Sequence, residues 1–129
     1  MSKQKTFSFQ DRFKSFSYAF AGLKILFIEE HNARIHLIAA LIATTLGFIL
    51  EISPNEWISL IVVMGLVFIC ELINTSLEAL ADFVSPEKHP QIKKVKDLAA
   101  AAVLISALVA LITGIILFLP NIIFLCSGN

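Results

Sequence analysis

No lysine or arginine occurs from Ile35 to Glu87, and none follows Asp97. All ten basic residues fall in two stretches, Lys3 to Arg34 and Lys88 to Lys96. A nucleic-acid binder spreads its basic residues over one face or along one helix, so that class is excluded. Charge of either sign is scarce, at 16% of residues against 57% hydrophobic. A water-soluble fold of 129 residues lacks the polar surface to cover so much apolar side chain. Cysteine is nearly absent. Cys70 lies inside an apolar run and Cys126 near the end, neither at a metal-type spacing, and both read as inert thiols. There is no G-x-x-x-x-G-K-[ST] loop, Gly-rich nucleotide loop, H-R-D motif, nucleophile elbow or zinc ligand set. Internal repeats and low-complexity tracts are missing too. The polar start of the chain, up to Gln10, is not expected to act as a cleavable signal peptide.

What is present is apolar length. Three segments, 35–52, 57–81 and 98–119, each approach the ~20 residues that cross a ~30 Å hydrocarbon core. Lipid offers no partner to unpaired N–H and C=O groups, so such segments must be helical. The mean hydropathy of +0.84 agrees. Ser53-Pro54-Asn55 predicts a tight turn between the first two segments, and Ser85 to Pro90 a break between the second and third. Positively charged connections stay in the cytoplasm. The N-terminal segment and the 82–97 connection are therefore expected inside, with the uncharged-to-acidic 51–56 turn and the C-terminus outside. Trp57 and Pro120 fall at the outer interface in that arrangement. Ahead of the first span, Phe9, Phe13, Phe16, Phe20 and Leu23 recur at helical spacing between Arg12, Lys14, Ser15 and Ser17. That pattern predicts an amphipathic helix over 7–28, lying on the cytoplasmic surface. The expected fold is an all-α membrane protein, a single domain over 1–129 with one surface helix and three spans.

The second span carries residues that do not belong in lipid: Glu71, Asn74, Thr75, Glu78 and Asp82. At ~100° per residue, Glu71, Glu78 and Asp82 fall within roughly 20° of one line, and Glu71 lies about 16 Å along the helix from Asp82. An acidic residue in a spanning helix costs roughly 2.5–3.5 kcal/mol on insertion scales. Hydrogen bonding between helices accounts for an isolated Asn or Thr, but it does not require charge, so the Glu71/Glu78 pair calls for a function. Two further clusters sit near the same membrane face. Lys93, Lys94, Lys96 and Asp97 open the third span, and Glu29, Glu30 and Arg34 precede the first. Converging carboxylates with a lysine form the ligand set that Mg²⁺ and phosphates need. Glu71, the deepest, is placed to act as a base on a lipid headgroup hydroxyl. The same stripe also suits a non-enzymatic membrane protein with an acidic ion or proton pathway, or an assembly subunit pairing with another protein's helix. Neither of those needs the Lys96-Asp97 pair.

The chain resembles the prokaryotic diacylglycerol kinase family, including its undecaprenol kinase branch, from about Phe13 to Leu119. Glu71-Leu72-Ile73-Asn74-Thr75-Ser76-Leu77-Glu78-Ala79 matches the family's E-x-x-N-[TS]-x-x-E core. Lys96 to Val103 matches its K-D-x-[AG]-[AS]-x-A-V segment, Glu30 and Arg34 its E-x-x-x-R stretch, and Tyr18 and Gly22 its Y-x-x-x-G stretch. The resemblance implies a homotrimeric bundle with active sites shared between subunits. It implies an ATP- and Mg²⁺-dependent lipid kinase of the bacterial inner membrane. It makes Glu71 the catalytic base, Glu30 and Glu78 the metal ligands, and Tyr18, Asn74, Lys96 and Asp97 the ATP contacts. Glu87 and His89 match an E-x-H stretch that lies over the nucleotide in the family. Two departures are visible. Asp11, followed by Arg12, stands where some members have an arginine, and Ala100 stands where the diacylglycerol branch has serine. His36 and the Ser85 to Pro90 stretch lean toward undecaprenol as the substrate.

Overall fold

The computed structural model describes residues 8–127. Lys3, Lys5 and Phe7 lie outside the described residues. Within them the chain forms four helices: α1 (Phe9–Glu29), α2 (His31–Ile49), α3 (Pro54–Val84) and α4 (Pro90–Cys126). The last three are long and apolar enough to cross a membrane. Ile61, Val62, Leu104, Ile105 and Ile116 stand exposed on α3 and α4, a surface that apolar surroundings cover at low cost.

The expected surface helix and first span are separated by one residue. Glu30 is extended and caps both helices, its N–H bonding the Leu26 carbonyl at 2.9 Å. Leu26 and Ala33 are buried on either side of this elbow, and Phe27 meets the edge of Phe68 on α3 at 5.8 Å. The elbow is thus pinned by packing, while residues 9–21 of α1 are exposed throughout.

At the opposite end, α2 stops at Ile49, three residues short of the expected span end. Glu51 adopts φ 49°, and the N–H groups of Glu51 and Ile52 turn back to the Phe48 and Gly47 carbonyls at 3.3 and 3.2 Å. This is a Schellman closure, with the buried Ile52 supplying its apolar contact. Ser53 then caps α3 in a reciprocal capping box with Glu56, and Pro54 occupies the first turn. Ile52 and Trp57 flank the cap in one apolar cluster with Leu60 and Phe118, which is the staple arrangement. A side chain at Gly47 would come within 2.8 Å of the Trp57 ring, so glycine is what lets the indole lie there. Glutamate at a left-handed φ is strained by about 1 kcal/mol or more. Glu51→Gly is therefore expected to stabilise the protein by about 1 kcal/mol, seen as a higher unfolding midpoint in detergent. An unchanged or lower midpoint would contradict the strain.

The third apolar segment extends past its expected end. Pro120 lies inside α4, which continues to Cys126. The Asn121 side-chain amide donates to the Leu117 carbonyl at 2.9 Å, one residue past the Ile116 carbonyl that loses its helical partner to proline. In apolar surroundings, unravelling the helix would cost more than the missing bond.

Candidate active site

The inner face of α3 runs through Leu60, Val63, Val67, Glu71, Asn74 and Ala81. The steps of three, four and seven place the acidic stripe on the line that packs against the other helices. Depth then separates its members. Glu71 is 2% exposed, Asn74 is 8% exposed, Glu78 is half-buried and Asp82 is exposed. A stripe this shape leads from the end of the bundle inward to one buried carboxylate.

Each member has its own neighbour. Nε2 of His36, on α2, lies 3.3 Å from Oε1 of Glu71. The two are close enough to pair, yet not aligned as a hydrogen bond, and Oε1 has no hydrogen-bond donor among the described residues. Asn74 donates its amide to Oε1 of Glu78 at 3.2 Å, while its own Oδ1, like Oγ1 of Thr75, is buried without a partner. Glu30 and Glu78 both lie within electrostatic range of Glu71. Lys96 of α4 ion-pairs with Asp82 at 2.5 Å and is also within range of Glu78. Carboxylates from the α1–α2 elbow and from α3 are thereby gathered with one lysine from α4.

The residues singled out in the sequence divide into two groups. Glu30, Glu71, Asn74, Glu78 and Lys96 come together. Tyr18 does not join them; it is exposed on the uncovered half of α1. Glu87 and His89 are exposed in the connection between α3 and α4, where the His89 ring accepts from the Gln91 N–H and caps α4. Asp97 pairs with Lys93 one turn earlier. None of these four hydrogen-bonds or ion-pairs with Glu71 or Glu78. Two contacts escape sequence reasoning. One is the approach of His36 to Glu71, for which only the imidazole's position near the start of the span was a signal. The other is the Asp82–Lys96 pair, whose signal was their placement on either side of one short connection.

The donors in this cluster are all oxygens apart from the lysine and the imidazole. Among the described residues no three His, Cys, Asp or Glu side chains converge as a closed metal cage. Mg²⁺ does not need one, since it takes one or two carboxylates and completes its shell with phosphate oxygens and water. Glu78, held by Asn74 whose own Oδ1 is buried without a partner, and Glu30, within electrostatic range of Glu71, are carboxylates of the kind such a site uses.

Comparison with known proteins covers most of the chain. The sequence pattern of the prokaryotic diacylglycerol kinases matches residues 17–118. The chain is 36% identical over 110 residues to the undecaprenol kinase of Bacillus subtilis (strain 168), covering 85% of this chain and 89% of that one. It is 42% identical over 101 residues to a diacylglycerol kinase of Helicobacter pylori (strain 26695), covering 78% and 79%. It is 35% identical over 104 residues to the diacylglycerol kinase of Escherichia coli (strain K12), covering 81% and 85%.

Proposed function

Because the chain belongs to the prokaryotic diacylglycerol kinase family and is a multi-pass membrane lipid kinase, we propose that it phosphorylates undecaprenol, in preference to diacylglycerol, with ATP and Mg²⁺. The reaction takes place at the cytoplasmic face of a bacterial inner membrane. The observation that carries this reading is Glu71: a carboxylate 2% exposed, with an unpartnered oxygen, inside an apolar helix and at the inner end of a stripe that opens toward the basic connection.

Glu71 takes the proton of the lipid hydroxyl as that oxygen attacks the γ-phosphorus in line. The bond to the β,γ-bridging oxygen breaks and ADP departs. Asn74 and Glu78 hold one another by hydrogen bond on the same face, so the base and its neighbours form a preset surface. Lys96 neutralises phosphate charge from α4. Glu30 and Glu78 would hold Mg²⁺, which when bound offsets charge on the transferring phosphoryl group. Tyr18, Asp97, Glu87 and His89 contact ATP from surfaces that do not meet Glu71 within one chain. That separation fits a homotrimer whose neighbouring subunits complete each site. The cluster of basic residues in the N-terminal segment and in the 82–97 connection supports a cytoplasmic N-terminus. The preference for undecaprenol rests on His36 and on the 85–90 stretch.

The test is transfer of label from γ-labelled ATP to undecaprenol and to diacylglycerol in parallel, with and without Mg²⁺. The expected result is labelled lipid that vanishes without Mg²⁺, with undecaprenol the better acceptor. A faster reaction with diacylglycerol would reverse the preference, and label on neither lipid from folded protein would overturn the reading.

A further inference from the structure

We infer that His36 is a positioning residue for the phosphoryl transfer, holding the carboxylate of Glu71 at the angle from which it meets the lipid hydroxyl. The inference rests on the reading of Glu71 as the base.

A carboxylate taken out of water must be compensated by hydrogen bonds or an opposite charge. Glu71 is 2% exposed, and the charged groups in range from the elbow and from its own helix, Glu30 and Glu78, carry its own sign. A polar group reaches it from α2, where Nε2 of His36 stands 3.3 Å from Oε1. At that distance a small turn of either side chain makes the hydrogen bond that the present angle lacks. Because His36 belongs to a different helix, that contact fixes where the carboxylate points relative to α2 and not only along α3.

The imidazole has a second face. It lines a groove of about 800 Å³ between α2, α3 and α4, together with Ala39, Ala40, Met64, Val67 and Phe68. A volume of this size falls within the range of small-molecule sites. Beyond His36, no titratable residue appears along the rest of α2. His36 therefore marks the border between an apolar groove open to hydrocarbon and the buried carboxylate. A lipid whose hydroxyl reaches Glu71 from the groove passes across the imidazole. If the ring only offset the charge of Glu71, its replacement would reduce folding. If it aims the carboxylate, its replacement slows turnover of a well-folded enzyme.

The test compares His36→Leu and His36→Gln with the parent, as the full chain in detergent–lipid mixtures, by initial rates at varied lipid and varied ATP. Glutamine can set its amide nitrogen where Nε2 stands; leucine fills the space without a donor. His36→Leu is expected to lower kcat roughly 100-fold, the scale of a misplaced reacting group, with KM for ATP, oligomeric size and melting temperature unchanged. His36→Gln is expected to recover activity to within about 10-fold of the parent. Parental rates in His36→Leu would overturn the inference. So would equal losses in both variants, or a loss that tracks a fall in melting temperature. Glu71→Gln run beside them separates the two readings. If it stays active, the base assignment fails and the inference falls with it. If it is inactive while His36→Leu is fully active, the inference alone fails.

Discussion

Glu71→Gln is expected to lower phosphoryl transfer by roughly 100- to 10,000-fold, the contribution of a positioned general base, while the protein still assembles. The substitution is nearly isosteric, so the packing around a side chain only 2% exposed survives it. It also removes a charge whose burial is costly, so the melting temperature should hold or rise. Activity and stability thus move apart, which a purely structural role for Glu71 does not allow. The check is labelled transfer to lipid and thermal unfolding on the same preparation. Substantial turnover in the variant would take the base assignment away from Glu71. A collapse of the oligomer with no folded protein would assign it to structure.

Lys96→Met should be the second largest loss, roughly 100- to 1,000-fold in kcat/KM for ATP, the scale of removing one charge-stabilising donor at a transferring group. The lysine has two partners to consider. Its ion pair with Asp82 ties the ends of α3 and α4 across the 85–89 connection. Asp82 is mostly exposed there, and exposed pairs contribute little to stability. If Lys96 acts on phosphate, Asp82→Asn keeps most of the activity while Lys96→Met does not. Equal losses in the two variants would mean that the tie between the helices is the important contact. Steady-state rates against ATP concentration, at saturating lipid, distinguish the two outcomes.

Much of this molecule is readable from its residues because a bilayer simplifies the problem. Apolar segments of sufficient length must be helical, so α2, α3 and α4 were visible as spans before any contact was known. Their ends were less so. Glu51 carries no sign of its left-handed backbone, since glycine is the usual residue there. The extension of α4 through Pro120 opposes the ordinary meaning of proline. In each case packing or apolar surroundings outweighed the local preference. The alternative of an ion-conducting stripe gives way to the family relationship, which makes the protein a lipid kinase.

Sequence by itself determined the class of protein, the three spans and the line of Glu71, Glu78 and Asp82 along α3. It could do so because periodicity along one helix follows from fixed backbone geometry, and because charge inside an apolar run is conspicuous. Only the tertiary structure decided that His36 comes to Glu71 from α2 and that Lys96 reaches Asp82 from α4. Those contacts depend on the rotation and relative depth of separate helices. Rotation and depth are set by the buried elbow at Leu26 and Ala33 and by the closure around Gly47 and Trp57, and no pattern within a single segment records them.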